Sequence, residues 1–352
     1  MLPTKRLVFL DGLRGAAIIG MMITHSMEFA NFNPLSGYTI YFEPTSPMVR
    51  APLEPLASMT TIFFCIMGMS LPVSLAIRKQ KQESFLSTSK HMAIRSAWLV
   101  FAGLLLAFGA QFALGTGSGL ALVFNGKEPI SMIGFANLFA FPVIYFFPSW
   151  KKLLALSGIS YVLVTIALFL PIAPYLGAIG PLLLAGPWSM LKCLPVILFG
   201  SGLVAAVIQN QPIPKKIVLI LAISLLALLN YILPIFIDVH DSMYYFMVPE
   251  VVYQMSLGYV VFKFLEEQSH NLIRRAVVPI LAAGRTGLYL YMINMIYNIF
   301  FLFYIPHVPS TLSALIVGCA SVFPLWAAAF LYMRWKVGDL GAQYASASSS
   351  VR

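Results

Sequence analysis

Few side chains in this 352-residue sequence are suited to acid–base chemistry, and the most suggestive of them share one stretch, FLDGLRGAAIIGMMITHSMEF, residues 9–29. Asp11 and Arg14 stand three residues apart at its head. His25 and Glu28 stand three residues apart near its end. On a helix, groups three or four residues apart lie on neighbouring ridges of one face. Arg14 can therefore engage Asp11 or an anionic ligand, and Glu28 can orient the His25 ring and stabilise its imidazolium. The eleven residues from Arg14 to His25 cover about 16 Å of helix axis. If Arg14 marks the inner surface of a bilayer, His25 lies near mid-membrane. An imidazole changes charge near neutrality, so at that depth it is a candidate general base. The competing readings are a core histidine hydrogen-bonded between helices, an interfacial Glu28 touching nothing, and an Asp11–Arg14 pair that only anchors the helix end.

Other ionisable and polar residues fall inside apolar runs, where they are costly and therefore candidates for function. Lys192, in GPWSMLKCLP, either snorkels outward or binds a polar or anionic group. Glu250, in FMVPEVVYQ, follows Pro249, which frees a backbone carbonyl and favours a kinked, cavity-facing helix. Tyr291 and Asn294, in GRTGLYLYMINM, either line the same cavity or join helices by hydrogen bonds. These four are candidate substrate-binding residues. Arg95, in KHMAIRSAW, is expected at the inner end of its span. With Arg78, Lys79, Lys81 and Lys90 it forms a basic patch suited to phosphate, or simply anchors the inner face. Arg285 is expected at the inner end of a later span.

The elements that must hold these groups follow from composition. Sixty per cent of the residues are hydrophobic and 10% are charged. An ordinary soluble domain is roughly half apolar and about one quarter charged. The balance indicates an all-α polytopic membrane protein, and no alternating strand pattern points to a barrel. About ten apolar runs are long enough to cross as helices, near 14–31, 56–77, 95–114, 130–148, 153–173, 188–208, 217–237, 243–263, 285–304 and 311–333. The run 276–284 before the ninth contains Pro279 and Gly284 and is expected to break the chain there. The net charge is +10, from 22 Lys and Arg against 12 Asp and Glu. With the N-terminus inside, only Arg50, Lys127 and Lys192 fall on the outer side or in the outer half of the membrane, and Arg285 lies at the inner end of its span. Ten spans then return the C-terminus to the inner side, so charge and parity agree. The basic balance thus reflects topology and gives no reason to expect nucleic-acid binding.

Residues 1–340 read as one transmembrane domain and 341–352 as a low-complexity tail. The N-terminus lacks a small-residue cleavage site, so the first run reads as a retained helix. The longest outer loop, residues 32–55, is rich in proline and placed to cover the mouth above His25. Cys65, Cys193 and Cys319 lie in apolar runs without metal-ligand spacing, and no metal is expected. No Walker A loop, HExxH or GxSxG is present.

LDGLRGAAIIGMMITH resembles the first span of the transmembrane acyltransferase superfamily, which includes the acyltransferase-3 group and heparan-α-glucosaminide N-acetyltransferase-like proteins. Those chains begin with Asp-x-x-Arg-Gly. In the acyltransferase-3 group an Arg, ten residues and a His follow, matched here by Arg14 and His25. TIFFCIMGMSLPVSLAIRKQKQ is similar to the family's second span. GPWSMLKCLPVILFGSGLVAA is similar to a middle element of the glucosaminide branch, and AAGRTGLYLYMINMIY with YMRWKVGDL to closing elements of a bacterial branch. The resemblance implies transfer of an acyl group, usually acetyl from cytosolic acetyl-CoA, to a hydroxyl or amine of an extracytoplasmic saccharide. It implies a bacterial cytoplasmic membrane. His25 is then general base or transient acyl carrier, assisted by Glu28, while Arg14 and Arg95, with Asp11 and Arg285, hold the donor. The alternative is a proton-coupled transporter or flippase using His25, Glu28 and Glu250 as a relay.

Overall fold

The computed structural model describes residues 8–30, 59–114, 123–124, 129–170, 173–185, 189–211, 213–227, 249, 251–261, 271–300 and 311–337. Among them there is no strand. The α-helices are α1 (Val8–Ala30), α2 (Met59–Gln80), α3 (Phe85–Leu114), α4 (Pro129–Phe146) and α5 (Trp150–Phe169). They continue with α6 (Met190–Ile208), α7 (Lys215–Ala227), α8 (Val251–Val261), α9 (Asn271–Phe300) and α10 (Thr311–Val337). Six of these described helices, α2 to α6 and α10, contain stretches long and apolar enough to cross a membrane. The protein is thus all-α, with the helices of an integral membrane protein.

The distribution of exposed side chains agrees. Along α3, Ile94, Trp98, Phe101, Leu105 and Phe108 are all exposed. Their alternating steps of four and three residues draw one stripe down the helix. Comparable stripes run along α5 (Ile159, Val162, Leu163, Ile166) and α7 (Ile217, Ile220, Ile223). Such surfaces are untenable in water but ordinary against lipid.

Two compact units make up the chain. One comprises Met1–Thr4 and Thr60–Val260, the other Lys5–Met59 and Val261–Arg352. The first gathers α2 to α8, and the second gathers α1, α9 and α10. Lipid tails are as apolar as leucine, so helices inside a bilayer associate through close packing and polar bridges rather than by hydrophobic exclusion. In the first unit α2 and α6 touch through glycines. A Cβ on Gly68 would strike the carbonyl of Ile197, and one on Gly200 the carbonyl of Cys65. Pro72, inside α2, has no N–H to offer the carbonyl four residues back, which is that of Gly68. The Ser201 hydroxyl of α6 fills the gap, lying 2.8 Å from Gly68 O while also reaching Ile197 O at 2.8 Å. A buried carbonyl exposed by a proline is thus satisfied by a neighbouring helix.

Two boundaries differ from expectation. α3 begins at Phe85, ten residues before the expected start of span three, because Ser84 caps it: Ser87 N donates to Ser84 Oγ at 3.2 Å. Ser at this position satisfies an otherwise orphan N–H. α9 runs unbroken through Pro279 and Gly284. The expected break is absent: the helix passes through both residues, Trp326 Nε1 of α10 donating to Pro279 O at 3.1 Å and Gly284 serving as a contact point for α1.

If Ser201 answers the carbonyl that Pro72 leaves open, the two residues are energetically coupled. Ser201→Ala should lower unfolding stability by about 1–2 kcal/mol. In a Pro72→Ala background, where the helix supplies its own donor, the same change should cost close to nothing. Detergent unfolding of the four proteins completes the cycle, and equal costs in both backgrounds would refute the coupling.

Candidate functional site

Most of the chemistry-bearing residues named from the sequence gather in the second unit, along the contact between α1 and α9. That contact is again made by glycines. A Cβ on Gly15 would strike the carbonyl of Ile280, and one on Gly284 the carbonyl of Asp11. Further along, a Cβ on Gly287 would meet Ile18 Cδ1. Residue numbers rise together on both sides, so α1 and α9 run parallel. Each polar group on α1 therefore faces a definite turn of α9.

At the N-terminal end of this seam lies an ionic group. Asp11 is 3% exposed. Arg14 Nη1 lies 3.5 Å from its Oδ1, within one helix, and Arg285 Nε lies 3.7 Å from its Oδ2, across the seam. Arg285 directly follows Gly284, so the close glycine contact is what carries this guanidinium to Asp11. The two arginines differ in access: the Arg14 side chain is 26% exposed and that of Arg285 7%. Arg285 is mainly a clamp on a buried carboxylate. Arg14 retains a face that can meet a second anion.

Some three turns along, His25 meets Tyr291. Their ring centroids are 5.9 Å apart and tilted by 55°. His25 is half-buried and Nε2 is shielded from solvent. Beside it is a closed circle of hydrogen bonds. Ser26 Oγ donates to Asn298 Oδ1 (3.0 Å), Asn298 Nδ2 to Asn294 Oδ1 (3.2 Å), and Asn294 Nδ2 to Ser26 Oγ (3.4 Å). All three residues are fully buried. Since Ser26 is bonded to His25 in sequence, the circle holds the backbone that carries the imidazole. Asn294 acts here as a helix-joining group.

Asp11, Arg14 and Arg285 thus form one cluster, and His25, Tyr291 and Asn294 another on the same two helices. Arg95 and Lys192 belong to the other unit. Arg95 is not at a helix end as expected: the capped early start of α3 leaves it ten residues inside, on an exposed face. Next to it, Asn137 Nδ2 donates to Ser96 Oγ at 2.5 Å, joining α3 to α4. Lys192 is half-buried in the first turn of α6. The Glu28 side chain, Glu250 and the loop 32–55 lie outside the described residues. Ser26 and Asn298 were not singled out in the sequence. The available sign was the four-residue spacing of Asn294 and Asn298, which puts both amides on one helix face.

No protein-family model matches the chain, and comparison with curated proteins finds no significant match.

The seam makes two claims that can be measured. Gly284→Ala should destabilise the protein by about 1–3 kcal/mol, because the added methyl meets backbone that cannot move aside. Gly158→Ala on α5, where a Cβ meets nothing within 4 Å, should be neutral or mildly stabilising. Equal melting shifts for the two variants would contradict the packing described. For the circle, Ser26→Ala and Asn294→Leu should be non-additive, with a coupling of roughly 0.6–1.7 kcal/mol. Additive unfolding costs would mean that the three side chains do not act together.

Proposed function

We propose that this protein is an integral-membrane, acyl-CoA-dependent acyltransferase that modifies a hydroxyl or amine of an extracytoplasmic saccharide. The chain would cross the bacterial cytoplasmic membrane ten times with both termini in the cytosol. The parallel course of α1 and α9 supports this topology, because the first and ninth spans of such a chain point the same way. The observation that carries the reading is the placement of a cationic group and an imidazole on one helix seam, about 16 Å apart along the axis.

His25 is the base. It takes the proton of the acceptor O–H or N–H as that atom attacks the acyl carbonyl, and returns it to the departing sulfur of CoA. In the covalent variant of this scheme the imidazole carries the acyl group between two such transfers. Tyr291 packs against the ring, and the Ser26–Asn298–Asn294 circle fixes the turn of α1 from which it projects. Glu28 assists His25. Donor phosphates suit Arg14, which is partly exposed. Asp11 and Arg285 hold Arg14 in place.

The test uses membranes containing the full-length chain, supplied with acetyl-CoA labelled in the acetyl group. Label should enter saccharide. His25→Ala should lower that incorporation about 100-fold or more, the scale of a lost general base, without changing the amount or melting of the protein. Near-normal incorporation by the variant would overturn the assignment.

A further inference from the structure

The unit formed by residues 60–260 has an unusual end. α2, α4 and α6 finish there, α5 begins there, and between them lies a recess of about 80 Å³. Its walls are Pro72, Leu75, Ile144, Leu153 and Ala205, and Lys79 stands at its rim. From Lys79 down to Pro72 is seven residues of α2, about 10 Å along the axis. The slot therefore runs from the helix ends some two turns inward. Its rim is marked as headgroup level by amphipathic aromatic residues. The Lys79 ammonium sits 4.9 Å from the ring centroid of Tyr145, and Trp150 Nε1 donates to Gln211 Oε1 at 3.0 Å.

The charge at this end is one-sided. Arg78 and Lys79 close α2, Lys81 directly follows it, and Lys151 and Lys152 open α5. Among the described residues of this unit the sole carboxylate is Glu83, and it is paired with Arg78. A pocket that is apolar at depth and cationic at the interface is complementary to an amphiphile with an anionic head and a hydrocarbon tail. Phospholipid of the surrounding leaflet presents both parts at this depth, and anionic headgroups are drawn to such basic clusters.

We propose that this recess is a specific site for an anionic phospholipid, with part of one acyl chain in the slot and the phosphate against Lys79. The site is independent of the acyltransferase reading, and its test needs no acyl donor. Native mass spectrometry of the full-length protein released from detergent should show one dioleoylphosphatidylglycerol retained about fivefold more tightly than dioleoylphosphatidylcholine. Lys79→Gln, a change at an exposed side chain, should abolish that preference. Ala76→Phe, which places a ring in the slot, should weaken both lipids, with melting curves confirming that each variant is folded. Equal retention of the two lipids by the unaltered protein would overturn the proposal. So would phosphatidylglycerol retention unchanged in both variants. Displacement of the lipid by glycerol 3-phosphate or by CoA at equal concentration would also overturn it, since the site would then recognise phosphate without a tail.

Discussion

Gly15 and Gly284 bring two helical backbones so close that one methyl group on either would strike the opposite chain. Every chemical feature of the α1–α9 unit depends on that approach. It sets Arg285 against Asp11 at one end and lets His25 reach Tyr291 at the other. It also lets Ser26 close a circle with two asparagines on a different helix. In water such contacts would be reinforced by burial of apolar surface. Within a bilayer, lipid competes equally for that surface, so fit and polar bridging decide the association. Small residues are therefore the structural investment here, and the polar groups are positioned by them.

The other unit repeats the principle with different parts. Gly68 and Gly200 let α2 and α6 touch, and Gly134 meets the backbone of α3 at Ser96 O, 2.8 Å from an ideal Cβ. A serine or asparagine sits beside each of these contacts: Ser201 answers the carbonyl that Pro72 leaves open, and Asn137 reaches Ser96. The pairing of a small residue with a short hydrogen-bonding side chain is an economical way to make one helix recognise one neighbour. It leaves the outer faces free to carry the large apolar residues that lipid requires.

Much of this is legible in the sequence. Apolar runs mark the helices, because run length against bilayer thickness is a one-dimensional quantity. The Asp11–Arg14 pair was legible for the same reason, being local to one helix. What escaped was long-range or masked by stronger local signs. Nothing in the spacing says that Arg285 closes on Asp11, 274 residues away. Ser26 and Asn298 are types that any membrane helix uses. Pro279 and Gly284 read as a break, yet the helix continues, because Gly284 is used for close contact with α1 and a membrane helix can carry a proline where its neighbours pack against it. Arg95 was placed at a helix end on hydropathy alone, whereas the Ser84 cap starts α3 two to three turns earlier.

The unit that holds His25 is discontinuous in sequence, and this has a consequence for how the chain is made. α1 emerges before α9, which starts only at residue 271. At 5–20 residues per second, synthesis of the intervening segment takes roughly 10–50 s. Throughout that interval Asp11 lacks the partner supplied by Arg285, and Ser26 lacks both asparagines. α1 must therefore be tolerated by the membrane in an unfinished state, with its charged end lodged at the interface and its imidazole exposed to lipid or to the insertion machinery. The same polar residues that equip the finished seam make the nascent helix the one most in need of a waiting place.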